Sequence, residues 1–275
     1  MPFSAVFQDL DQLPPFPGIA TKMLRALSHD NASIQEVASL VRADAALSSE
    51  LLRIANSPLF AFQAQVSSIQ QAVKMLGFDE IRKMVLAISV KSFLQPAMRL
   101  DLLRAIWRHS LACGLICEEL SIACSSTEGS DDQAYTAGLL HDIGRMGLCV
   151  AHPQEYAALL TGTDQQVLER EREAFGIDHC EAGAWLARKW ELPAEVQRVT
   201  STHHQTPAPE GFGLEKLVQA AVLLTGILGF DVIPASEAYS LGQIRAMLPL
   251  AAQYRFDPEP RAMKSRITGK LDAFD

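Results

Sequence analysis

Residues 135–147 read Tyr-Thr-Ala-Gly-Leu-Leu-His-Asp-Ile-Gly-Arg-Met-Gly, which sets His141 and Asp142 side by side directly after an apolar helical run. An imidazole nitrogen and a carboxylate oxygen both bind borderline or hard divalent ions, and a packed helix end can aim two consecutive side chains at one point. An isolated His-Asp pair is more often a hydrogen-bonded core pair, so a metal reading needs further donors. The chain offers several at helical spacing. Between residues 101 and 124, Ile106, Leu111, Leu115, Ile116 and Leu120 recur with a helical period, and His109 shares a face with Cys113 and Ile116. An inward histidine there is either a core group bonded to a backbone carbonyl or a ligand. Asp178 with Glu181 starts a further helix that carries His179, Gly183, Leu186 and Trp190 on one face. Gly183 in a helix interior predicts a close helix crossing or a small cavity. After Pro193, expected as a first helical residue, Val196, Val199, Thr200 and His203 share a face while His204 sits about a third of a turn away. His29 and His152 fall outside this set.

The elements that must hold these side chains are helical by pattern. After the rigid Leu-Pro-Pro-Phe-Pro-Gly stretch at 13–18, Ile19, Met23, Leu24 and Leu27 begin a helical period. Ser33 with Glu36 reads as a capping box in front of Ile34, Val37, Ala38 and Val41. A helix after Asp44 carries Leu47, Leu51, Leu52 and Ile54 and ends at Asn-Ser-Pro, 56–58. Ser67 with Gln70 reads as a second capping box, and Gly77 as a left-handed C-terminal cap. A largely apolar helix over 81–94 ends at Gln95-Pro96, and no stretch of this first part alternates with period two long enough to be a convincing strand, 85–90 being the one ambiguous run.

Composition bounds the function classes. The 275 residues are 48% hydrophobic and 20% charged, enough for one large or two small cores, and the net charge of -8 with interspersed signs argues against a general nucleic-acid binder. Five cysteines without a Cys-x-x-Cys pair read as reduced core thiols of a cytoplasmic protein. The N-terminus lacks a signal-peptide pattern, and the longest apolar window, 217–230, is too short to span a bilayer.

Four ordered segments carry a resemblance. Leu-Pro-Pro-Phe-Pro at 13–17, Leu-Arg-Ile-Ala-Asn-Ser-Pro at 52–58, Ser-Ile-Gln-Gln-Ala-Val-Lys-Met-Leu-Gly at 68–77 and Ala-Gly-Leu-Leu-His-Asp-Ile-Gly at 137–144, continued by Trp-Glu-Leu-Pro at 190–193 and His203-His204, are similar to the signature of the HDOD family. These are bacterial signalling modules related to the HD phosphohydrolases. One departure is Ala45 after Asp44, where the family usually has proline. The resemblance implies an all-α, multi-helix HD-like bundle, with an N-terminal helical subdomain (13–98) packed on an HD-like subdomain (99–207) inside an HDOD domain at 13–207. A short segment, 1–12, precedes it, and a helical extension, 208–275, follows. It also implies that His109, His141, Asp142, His179, His203 and His204 are the positions an HD-type site would use for divalent iron, manganese or zinc. Arg145 stands where a related subgroup carries lysine, and is a candidate phosphate contact.

HD phosphohydrolases close the site with an aspartate on the helix after the double histidine. The corresponding segment, 214–229, has no Asp, its only carboxylate is Glu215, and the family position falls around Val222. Loss of one anionic ligand lowers affinity for a divalent ion. The first expectation is therefore a non-catalytic regulatory module without a resident cofactor. It would act through signalling proteins bound in trans, without nucleic acid or membrane. The other reading, a metal-dependent phosphohydrolase or phosphodiesterase acting on a nucleotide or cyclic dinucleotide, uses the same histidines to activate water for attack on phosphorus. A nucleotide or metal bound purely as a signal lies between them.

Overall fold

The structure is a computed structural model that describes residues 3–26, 34–95, 98–124, 132–205, 211–235 and 237–275. In chain order the helices are α1 (Phe3–Asp11), α2 (Gly18–Ala26), α3 (Ile34–Arg42), α4 (Ala45–Ala55), α5 (Ile69–Leu76) and α6 (Phe78–Leu94). Then come α7 (Asp101–Cys124), α8 (Asp132–Leu140), α9 (Ile143–Ala151), α10 (Pro153–Leu159), α11 (Asp164–Phe175) and α12 (His179–Lys189). The last are α13 (Ala194–Thr202), α14 (Leu214–Leu228), α15 (Leu241–Ala246), α16 (Leu250–Arg255) and α17 (Pro260–Phe274). The fold is all-α: no strand occurs among the described residues, and the ambiguous run at 85–90 lies inside α6.

The chain divides into two compact units, one of residues 14–95 with 268–275 and the other of residues 1–13 with 96–267. In the first, α6 is the centre, buried along Ile81, Met84, Val85, Ile88 and Val90 and also at Arg82 and Lys83. A helix apolar on nearly every side is stable only when neighbours surround it, and α2, α4 and α5 pack on it. The last residues of α17 join this core through the buried Leu271 and Phe274, while Lys91 reaches the carbonyls of Phe274 and Asp275 and pairs with Glu50. Asp44 caps α4 by accepting from the Leu47 amide at 3.0 Å. The cap of α5 is one residue later than the Ser67–Gln70 reading. Ser68 Oγ accepts from the Gln71 amide, and the Gln71 side chain reaches back to accept from the Ser67 amide at 3.0 Å. Gly77 does need its positive φ (81°), but its ψ of 169° is extended rather than left-handed helical, which lets it end α5 and open α6 at once. The Ser33 cap, Leu27, His29 and Pro96 lie outside the described residues.

In the second unit two close crossings fix the geometry. The 24-residue α7 meets α8 at Gly114 and Gly138, where a Cβ on Gly138 would lie 2.9 Å from the Cys113 carbonyl oxygen. Helix α9 meets α12 at Gly144 and Gly183, where a Cβ on Gly144 would collide with the His179 carbonyl oxygen and the Gly183 backbone. The crossing predicted from Gly183 is present, and Gly144 is the residue on which it depends more tightly. Helix α14 packs on α7, α8 and α13, and α1 lies against α9 and α12 through a Phe7–Trp185 ring contact of 5.4 Å and a Lys189–Asp11 pair of 2.8 Å. Among the described residues no helix is long and apolar enough to cross a membrane.

Candidate functional site

His141 and Asp142 form the two-residue break between α8 and α9. Asp142 holds the N-cap position of α9, where an aspartate ordinarily accepts from a helix amide, yet its carboxylate makes no capping bond. It turns inward, 3% exposed, toward the histidines. The crossing of α7 over α8 brings His109 within 5.2 Å of His141, ring centroid to centroid, and the crossing of α9 over α12 brings His179 to the other side of Asp142. Asp178 caps α12 through the Glu181 amide, with Glu181 returning to the Asp178 amide, which fixes His179 as the first helical residue. The end of α13 supplies His203 and His204; Pro193 is its N-cap rather than its first helical residue. All six histidine and aspartate positions therefore gather in one place. Two donor groups share Asp142, one with His109 and His141 and the other with His179, His203 and His204, with ligand atoms within 4.8 Å of one another in each.

The tethering of the rings tells which nitrogen each presents. His109 Nδ1 meets the Phe230 carbonyl at 3.1 Å, His141 Nδ1 the Gly138 carbonyl at 2.6 Å, and His203 Nδ1 the Thr200 carbonyl at 3.2 Å. His179 Nδ1 meets Glu171 Oε2 at 2.7 Å. Carbonyl and carboxylate oxygens only accept, so each Nδ1 carries a proton and donates it, leaving the Nε2 lone pair free to turn to the centre. Metal-binding histidines are held in this way by partners behind the ring. At the centre Asp142 Oδ1 lies 3.4 Å from His203 Nε2 and 3.5 Å from His179 Nε2, and neither Asp142 Oδ1 nor His203 Nε2 has a hydrogen-bond partner although both are buried. Donor atoms about 2.1 Å from a tetrahedral ion are about 3.4 Å apart, so this spacing fits a divalent first-row metal. His109 as a group bonded to a backbone carbonyl and His109 as a ligand are thus one arrangement.

Arg145, one turn after Asp142 on α9, enters the same cluster. Its Nε donates to Asp142 Oδ2 at 2.7 Å and its Nη2 lies 3.1 Å from His179 Nε2, with 4% of the residue exposed. Burial alone would raise the Asp142 carboxyl, but the Arg145 charge and the nearby His203 ring hold it well below the usual carboxylate range. Glu171 is likewise down at about 2, where the hydrogen bonds from His179 and Tyr156 and the charge of Arg145 outweigh burial. Burial and the neighbouring His141 push His109 down to about 3, and burial and His203 push His204 down to about 3, so both rings are neutral at ordinary pH.

Glu171 joins the cluster without having stood out in the sequence pattern. It is fully buried on α11, accepts from the His179 amide at 2.9 Å as well as from its ring, and takes the Tyr156 hydroxyl. Its neighbours Glu169, Arg170, Arg172 and Glu173 make the segment look solvated, yet Val167, Leu168, Glu171 and Phe175 form one buried stripe. That spacing is the signal that marks it. His152, outside the cluster, pairs with Asp9 and Glu155 at 3.3 Å each and stacks on Phe175.

The cluster floors a cavity of about 530 Å³. Gln219, Val222 and Gly226 of α14 form one wall, Val232, Ile233 and Tyr239 another, and Asp164, Asp231 and Glu237 also line it. Val222, around which the resemblance places the aspartate of an HD site, thus borders the cavity with an apolar side chain. Glu215, the sole carboxylate of α14, is turned to Arg198 at 2.7 Å.

The HDOD domain family model matches residues 13–206. An HDOD domain protein from Geobacter sulfurreducens superposes with a TM-score of 0.78 at 23% identity over 99% of this chain and 96% of its own. A protein from Marinobacter aquaeolei VT8, provisionally named for signal transduction, gives 0.76 at 22% identity over 96% of this chain and 60% of its own. An uncharacterized protein of Treponema pallidum (strain Nichols) is 26% identical over 222 residues, 76% of this chain, which spans about two fifths of that relative's length (41%). With the family signature covering 13–206 and the HD-like histidine cluster assembled as its helices demand, the chain belongs to the HDOD domain family.

Proposed function

We propose that the chain is a regulatory HDOD module that does not turn over a substrate and acts by binding protein partners in a signalling pathway. The observation that carries this reading is the wall contributed by α14. Val222 borders the cavity where a carboxylate would complete the site, so Asp142 is the sole carboxylate of the two donor groups, and Arg145 already pairs with it. One carboxylate offsets little of the charge of two divalent ions, which disfavours two-metal hydrolysis of a phosphate ester at such a centre. The family membership and the Marinobacter relative's name support a signalling role.

A second reading is favoured by one specific observation, the unpartnered Asp142 Oδ1 and His203 Nε2 at ligand spacing. On that reading His109, His141, Asp142, His179 and His203 hold iron, manganese or zinc, which when bound would supply an activated water. His204 would be a further donor and Arg145 a phosphate contact. The test is turnover by the tag-free chain loaded with each of the three metals, on bis(p-nitrophenyl) phosphate and cyclic dinucleotides. No hydrolysis above the Asp142→Ala background is expected. Hydrolysis that disappears in Asp142→Ala would establish the second reading instead.

A further inference from the structure

The two donor groups around Asp142 do not stand equal. In the group of His109 and His141 both rings are tethered through Nδ1, and Asp142 Oδ1 has no hydrogen-bond partner. Arg145 bonds neither of these two rings. In the group of His179, His203 and His204 a cation is already in place. The Arg145 guanidinium spans from Asp142 Oδ2 (2.7 Å) to His179 Nε2 (3.1 Å). A guanidinium has donors and no lone pair, so His179 must offer it the Nε2 lone pair, the one a metal would need. The other nitrogen of His179 is unavailable, since Nδ1 is committed to Glu171 at 2.7 Å.

We propose that Arg145 is a built-in cation that takes the place of a metal ion in the His179–His203–His204 half of the cluster and restricts the chain to at most one divalent ion, held by His109, His141 and Asp142. The inference rests on the cluster being a donor set and is independent of whether the centre turns over. Arg145 is suited to the role by position as well as charge. It follows Gly144, whose missing side chain presses α9 against α12, so its guanidinium is delivered to His179 with 5% of the side chain exposed. An ion bound at His179 Nε2 would meet a fixed positive charge within a few ångströms in a buried setting, where screening is weak. Arg145 also supplies a compensating charge for Asp142.

The test uses the full chain, stripped with chelator and then titrated with Zn²⁺, with bound metal counted by mass spectrometry after desalting. Wild type is expected to retain no more than one equivalent. Arg145→Met is expected to retain one equivalent more than wild type, and the double variant Arg145→Met/His179→Ala to lose that gain. Two equivalents on wild type, or a folded Arg145→Met with unchanged stoichiometry, overturns the proposal. Should Arg145→Met fold only when Zn²⁺ is added, the proposal is supported, because the ion then replaces the missing charge. Should it not fold in either condition, wild type decides by NMR of the arginine Nε–H groups, with Arg145 identified by its loss in Arg145→Lys. Its proton is expected to remain protected from solvent exchange under excess Zn²⁺, and loss of that protection overturns the proposal. Turnover in the phosphodiester assay would overturn the regulatory reading while leaving this count untouched.

Discussion

His109 shows how one residue links burial to behaviour. Its ring is fully enclosed, bonded to the Phe230 carbonyl and held neutral with its proton affinity down at about 3. In the unfolded chain the same ring takes a proton near pH 6.5. A depressed histidine contributes stability that is whole above the unfolded value and lost as pH falls from about 6.5 toward 3, because the unfolded state binds the proton first. In chelated protein at pH 5 this amounts to about 2 kcal/mol from His109 alone. Urea melts at pH 7 and pH 5 should therefore show an acid-induced loss that is about 2 kcal/mol smaller in His109→Gln. Val222 gives a second residue-scale prediction. It is half-buried at the cavity wall, so an aspartate there can face the donors without being sealed from water. Val222→Asp is expected to tighten Zn²⁺ or Mn²⁺ binding at least about tenfold, since affinity rises with the number of charged ligands. A titration calorimetry trace identical to wild type would show that α14 does not point at the centre.

At the scale of elements, the site is the product of two helix crossings, and each depends on glycine for steric reasons. Gly144 has no room for a Cβ beside the His179 carbonyl oxygen and the Gly183 backbone. Gly144→Ala should force α9 and α12 apart and cost about 3 kcal/mol, the upper end of what overpacked core substitutions typically cost. The same change should lower metal affinity, because His179 and Asp142 lie on the two helices being separated. Gly183→Ala should be milder, since its nearest neighbours lie at 3.3 Å. Denaturant melts of the two variants check the order, and equal losses would contradict the crossing. Helix α14 plays a double part: its C-terminal turn, closed by the left-handed Gly229, presents the Phe230 carbonyl to His109, while its middle forms the cavity wall.

For the whole molecule, the last helix matters because it is divided between the two units at residue 267. Its terminal part is buried in the first unit through Leu271, Ala273 and Phe274, with the Ala273 carbonyl taking Arg53 at 3.0 Å. Phe274→Ala should cost about 3–5 kcal/mol, the range for deleting a buried aromatic ring. Proteolysis should then cut residues 14–95 first, and a melting curve superposing on wild type would refute the packing.

The sequence alone determined what rests on local periodicity and on residue type. Helical spacing of apolar residues predicts the all-α class, the Asp178–Glu181 and Asp44 helix starts are where side-chain caps demand them, and His109, His179 and His203 are assigned to inward faces. A helical wheel places a residue on a face but carries no information about where two faces meet. Convergence of His109, His179 and His203 on Asp142 was therefore decided by the crossings at Gly114–Gly138 and Gly144–Gly183, which join positions far apart in the chain. Glu171 was hidden among charged neighbours because its burial depends on α11 lying over His179, and Arg145 as an internal cation became legible only with His179 delivered beside it. The one-residue shift of the α5 cap has the same origin, since two serines in a row offer the same chemistry and backbone geometry chooses between them. Local pattern specifies which groups turn inward; tertiary packing decides which of them share a point, because contact between distant segments depends on the close approach of whole helices.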